Sequence, residues 1–97
     1  MGGSGVSING GTQNVQVMGN HVSDNRRPSY GGIVGGFSSS VDSGGQVSDN
    51  VVHGFAQGVA LGSNSNGFEV EDNDLLLNTV CVLNFGTDNV IAGNSCS

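Results

Sequence analysis

Asp49 and Asp72 stand in the same local setting: each directly precedes an Asn and comes two residues after a Val, in Val47–Ser48–Asp49–Asn50 and Val70–Glu71–Asp72–Asn73. If the two segments stack as neighbouring strands, they lie about 4.8 Å apart. Carboxylates at that spacing can share a proton, act as an acid and a nucleophile on a glycosidic bond, or hold Ca2+. Glu69 and Glu71 flank Val70 and Asp74 follows, so residues 69–74 form an acidic stripe beside Asp49. Asp49, Asp72 and Glu71 are the candidate catalytic residues. The plainer role of such a stripe is a solvated face that keeps the chain soluble, because Asp is common at turns.

A second group with chemical potential lies between Asn25 and Gly31, where Arg26, Arg27, Pro28 and Tyr30 bring together both cations, the only Pro and the only Tyr. Arginine can fork onto a carboxylate or sugar hydroxyls, and tyrosine can stack on a sugar ring. Tyr30, Arg26 and Arg27 are therefore the candidate glycan-binding residues, the alternative being a surface loop whose arginines pair with nearby acids. Ser38 to Gly45 is rich in Ser and Gly and reads as a flexible loop. His21 and His53 read as surface histidines without an assigned role. Cys81 and Cys96 read as two buried thiols acting as small hydrophobes. A disulfide between them needs Cα atoms within about 7 Å. Metal spacing of the C-x-x-C kind, phosphate-binding loops and nucleophile elbows are absent from the sequence.

The elements that would position these residues follow from a repeat. A branched apolar residue, two residues and an Asn recur at Val17–Asn20, Val47–Asn50, Val70–Asn73 and Ile91–Asn94, with Asn-to-Asn steps of 30, 23 and 21 residues. A loose period of this length marks stacked repeat units. A second set of short strands recurs between copies: Val6–Ile8, Gly32–Val34, Gly58–Leu61 and Val80–Leu83. Apolar residues alternate with period 2 inside these pieces, and no segment carries the i, i+3, i+4 pattern of a helix. Asn20, Asn50, Asn73 and Asn94 should form a ladder of side-chain amides, each Asn also supplying the left-handed backbone of a corner. Val22, Val52, Leu75 and Cys96 should form an adjoining inward column.

This pattern, Asn–apolar–x–apolar with Gly–apolar–x–apolar between copies, resembles the right-handed parallel β-helix repeat of the pectate-lyase-like superfamily. That group includes polysaccharide lyases, polygalacturonases, epimerases, fructotransferases and phage tailspikes. The resemblance spans roughly residues 6–97 and implies an all-β chain: a short right-handed parallel β-helix, a solenoid of about three to four rungs, read as a piece of a longer one. Residues 1–5 read as a linker or a native turn, and 6–97 as one β-helix domain. The resemblance implies a structural or glycan-contacting module from a carbohydrate-related protein, without complete catalytic machinery. Two alternatives stand beside it: a polysaccharide-active enzyme (hydrolase, lyase or transferase) centred on the acidic stripe, and a self-assembling, tailspike-like element. The family's lyases use a basic residue beside Ca2+-binding acids; here only Arg26 and Arg27 are basic, and both fall in a loop. The resemblance also implies an extracellular or phage-associated protein.

Composition bounds these readings. The chain has 97 residues, 35% hydrophobic and 10% charged, with 18 Gly and a net charge of −6 that includes only two Lys or Arg. Regularly placed Val, Ile, Leu and Phe argue against disorder. Nucleic acid and anionic membranes need basic surface that is missing here. A neutral glycan suits an acidic surface better than an anionic one. No cofactor is called for, Ca2+ being the one ion the acids could take. Terminal strands of a stack expose backbone edges. The expected partner is therefore the chain itself, as a dimer or trimer, through Val6, Ile8, Phe85 and Ile91.

Overall fold

The computed structural model of the chain describes residues 5–8, 10–23 and 31–96. Within them run twelve short strands: β1 Val6–Ile8, β2 Gln16–Met18, β3 His21–Ser23, β4 Gly31–Gly35, β5 Asp42–Ser43, β6 Gln46–Ser48, β7 Val51–His53, β8 Gln57–Leu61, β9 Ser65–Asn66, β10 Glu69–Glu71, β11 Val80–Asn84 and β12 Val90–Ala92. None of the described residues is helical. Dense Gly and Asn explain this, since each Gly inside a helix costs about 1 kcal/mol.

All strand pairs are parallel. The larger sheets have the orders β1-β4-β8-β11 and β2-β6-β10-β12, and two-stranded sheets pair β3 with β7 and β5 with β9. Single bridges extend the small sheets, Gln13 to Ser43 and Asn66 to Thr87 on one, Val51 to Asp74 and Asp74 to Ser95 on the other. The chain thus visits the same four strand positions in the same order on successive passes. Register follows the sequence repeat: Val17, Val47, Val70 and Ile91 are direct neighbours across one sheet. Val6, Ile33, Val59 and Val82 are neighbours across the other.

The inward residues of the first three passes meet in one core of Ile8, Val17, Ile33, Val47, Val52, Phe55, Val59, Leu61, Phe68, Val70 and Leu75, with Cys81 and Val82 of the last pass packed against it partly buried. Ile91 lies in register with this column but remains 37% exposed, because β12 is an edge strand. Phe68 fills the centre, and Gly45 makes room for it: a Cβ built at Gly45 would sit 2.5 Å from the ring.

Three sequence readings are corrected. The left-handed corner residue is not the ladder Asn but the one before it, Gly19, Asp49, Asp72 and Gly93, all with φ between 56° and 69°. Asn, Asp and Gly tolerate this conformation best, so the position accepts either Gly or Asp while the Asn side chain is left free to bond. A second left-handed column, Asn14, Gly44, Gly67 and Asp88, follows the same logic. The second correction concerns 38–45, read as a flexible loop: Asp42–Ser43 is a paired strand and Asp42 is fully buried.

The third correction is that Cys81 and Cys96 are not separate thiols but a disulfide, with Cα atoms 5.8 Å apart. The bridge joins β11 to the last described turn, because stacking brings the strand before and the corner after β12 to the same side of the core. Closing a loop of this length is worth about 3 kcal/mol. Reduction, or Cys81→Ser with Cys96→Ser, is expected to lower stability by about that amount in urea unfolding monitored by circular dichroism.

Candidate functional site

The ladder of asparagines is present and continuous. Asn20 Nδ2 donates to Asn50 Oδ1 at 3.1 Å, Asn50 Nδ2 to Asn73 Oδ1 at 3.0 Å, and Asn73 Nδ2 to Asn94 Oδ1 at 2.8 Å. The same oxygens accept the backbone N–H of Asn20, Asn50 and Asn73. The second Nδ2 hydrogen goes the other way, from Asn50 to the Val17 carbonyl, from Asn73 to Val47 and from Asn94 to Val70. Asn50 and Asn73 are each 1% exposed, so a polar spine runs inside the corner with the side-chain groups of these two residues all used. Asn78 and Asn89 play the same part at other corners, accepting the N–H of Phe55 and Phe68. The sequence shows them only as scattered Asn.

Outside this spine, the candidate acids occupy a corner and the adjoining sheet of β2, β6, β10 and β12. Asp49 and Asp72 hold equivalent corner positions on neighbouring passes, both exposed. Glu71 pairs in register with Ser48 and Ala92, and Glu69 with Gln46 and Val90. Glu69 Oε1 accepts from Gln46 Nε2, whose Oε1 accepts from Gln16 Nε2, each at 3.1 Å. One acid of the stripe thus ends an outer glutamine ladder. Asp72 leans over Gly93, where a Cβ would meet Asp72 Oδ1 at 2.6 Å. Among the described residues no group of three or more His, Cys, Asp or Glu is placed to hold a metal ion. Arg26, Arg27 and Tyr30 lie outside the described residues.

Asp74, the last acid of the stripe, sits elsewhere: it bridges to Val51 and Ser95, beside β3 and β7. There the His53 Nε2–H donates to Asp74 Oδ1 at 3.1 Å. The His21 ring stands edge-on to His53 with centroids 6.4 Å apart. The hydrogen bond from His53 holds the Asp74 carboxyl below its ordinary range, helped by the Leu76 amide. A carboxylate that fixes one imidazole nitrogen leaves the other as an acceptor, the orienting half of a general-base arrangement.

The least expected group is Asp42, which no local sequence signal marks. Its Oδ1 accepts the N–H of Gly11 and Thr12 and the Thr12 hydroxyl, and its Oδ2 accepts the N–H of Gly36. Burial by itself pushes this carboxyl up, but the four donors outweigh it and hold it below its ordinary value. Stability from such a group is complete above the unfolded value and is lost as pH falls through the folded one. Asp42→Asn turns an amide hydrogen toward either the Gly36 N–H or the Gly11–Thr12 donors. It is expected to cost about 1–3 kcal/mol at neutral pH, and the wild-type advantage should shrink below pH 3.8, the ordinary value. Melting curves of both proteins from pH 7 to 2.5 check it.

Fold and site together define an all-β chain of parallel strands held by an internal asparagine network. No protein-family model, no curated protein and no solved structure matches it.

Proposed function

We propose that the chain is a right-handed parallel β-helix of the pectate-lyase-like kind, serving as a structural and glycan-contacting module that associates with itself. One observation carries this reading: four passes of the chain remain in register along an unbroken asparagine ladder. Parallel strands joined by crossovers are almost always right-handed, and an in-register stack with a polar spine is suited to bearing repeats rather than enclosing a small substrate. The outer faces then offer flat, polar, acidic surface of the sort a neutral glycan can lie on. The Cys81–Cys96 disulfide suits an oxidising, extracellular setting.

The polysaccharide-active enzyme remains the second reading, favoured by Asp49 and Asp72 standing at equivalent corners of adjacent passes, with Glu71 beside them. One set of experiments separates the two. Titration with neutral oligosaccharides should raise the melting temperature without releasing products. Product formation lost in Asp49→Asn or Asp72→Asn favours the enzyme, and no shift with any oligosaccharide removes glycan contact from the proposal.

A further inference from the structure

The asparagine ladder has a direction. Each Oδ1 accepts from the pass before it, and each backbone N–H and one Nδ2 hydrogen donate to the pass after it. At the β12 end this leaves Asn94 with its N–H and one Nδ2 hydrogen facing outward, since among the described residues its other hydrogen alone finds an acceptor, the Val70 carbonyl. At the β2 end the reverse holds. Asn20 donates to Asn50 and to the Met18 carbonyl, while nothing among the described residues donates to its Oδ1. Among the described residues, one end of the strand stack therefore presents two ladder donors and the other presents the acceptor that takes two.

We infer that a second copy of this chain docks head to tail on the β12 edge through its own β2 edge, continuing the ladder from Asn94 to the partner copy's first asparagine. This deepens the self-association proposed above and rests on it. The alternatives are disfavoured by the same polarity: two β12 ends would set donors against donors, and two β2 ends oxygen against oxygen. Register agrees with the hydrogen bonds. Extending the alignment by one pass puts Val17 against Ile91 and Gln16 against Val90, as Val47 already stands against Val17 and Gln46 against Gln16. The Nδ2 hydrogen of Asn20 that now bonds the Met18 carbonyl would reach the Ile91 carbonyl of the other copy just as Asn50 reaches that of Val17.

The apolar gain lies on the donor end. There Ile91 is 37% exposed, and Val82, Ile91, Ala92 and the disulfide line an open hollow of about 310 Å³. At the other end Ile8 is 4% exposed and Val17 7%. The acceptor end contributes strand edge and ladder oxygen rather than apolar side chains. Because the two surfaces differ, the contact is heterologous and adds copies in line rather than closing on a dimer.

Two single-end variants test it. Asn20→Lys replaces the acceptor with a cation facing donors, and Ile91→Lys places a charge in the hollow. Both positions are at an edge, and each variant's circular dichroism melt reports whether it folds. Wild-type protein should show a mass in sedimentation that climbs with concentration above 9.7 kDa. Each variant alone should stay at a single chain mass. An equimolar mixture should double that mass and stop, one intact donor end meeting one intact acceptor end. Self-association of Asn20→Lys alone, or a mixture of folded variants that remains monomeric, overturns the head-to-tail geometry while leaving self-association standing. A wild-type chain that stays monomeric throughout overturns both. Should one variant fail to fold, Asn20→Leu removes the acceptor without adding a charge and Ile91→Glu places the opposite charge in the hollow.

Discussion

Asn73→Ala is expected to cost about 3–5 kcal/mol in equilibrium unfolding, far more than Ser63→Ala on the exposed surface, which should stay within about 0.5 kcal/mol. The size follows from how many groups one amide serves. Removing it strands the N–H and Nδ2 of Asn50, the carbonyl of Val47, and one of the contacts on Asn94 Oδ1. These groups lie in a corner where Asn50 is 1% exposed, so water cannot replace them freely. Each buried orphan costs about 1–3 kcal/mol. Asn20→Ala, at the exposed end of the same ladder, should cost less than half as much. Urea titrations of the three variants at one temperature check the order.

Phe68→Ala should have a comparable effect, about 3–5 kcal/mol, through a different physical cause. Phe68 is the largest fully buried side chain, and Gly35 and Gly45, both on the preceding pass, lie against its ring. Both glycines are backbone walls with no side chain to collapse into the gap, so a cavity would persist. Phe68→Leu keeps much of the volume and should lose under about half of that. The reciprocal change, Gly45→Ala, places a methyl 2.5 Å from the ring and should also destabilise. Since small domains are held by roughly 5–15 kcal/mol in all, either large loss leaves little margin at physiological temperature.

The parallel pairing was readable because the sequence repeats its constraints. Val17, Val47, Val70 and Ile91 each sit three residues before an Asn, and that offset alone sets the strand register now seen. The left-handed corner was misplaced by one residue because Asn is itself tolerant of that conformation. The alternation Gly19, Asp49, Asp72, Gly93 carries the correct signal, since those residue types share little except that tolerance.

What stayed hidden was contact between unrelated segments. Asp42 meets donors from Gly11, Thr12 and Gly36, and no spacing rule connects those four positions. Its Ser- and Gly-rich setting imitates a loop because strand pairing there is supplied by neighbouring passes, Gln13 and β9, rather than by local propensity. The Cys81–Cys96 pairing depends on the corner after β12 returning to β11, which the repeat implies only once its cross-section is known. The His53–Asp74 pair was equally illegible: the two residues are 21 apart and occupy different positions of the repeat. The acidic stripe, by contrast, looked continuous in sequence and is divided in space between a corner, a sheet face and the β3–β7 side.

A buried column of side-chain amides holds the passes in register. Side-chain amide exchange measured by NMR tests it most directly. The Nδ2 hydrogens of Asn50 and Asn73 should exchange with solvent orders of magnitude more slowly than those of exposed Asn66, because each bonds both to the next amide and to a carbonyl of the pass before. Exchange of Asn50 and Asn73 as fast as that of Asn66, in protein shown to be folded, would contradict the ladder.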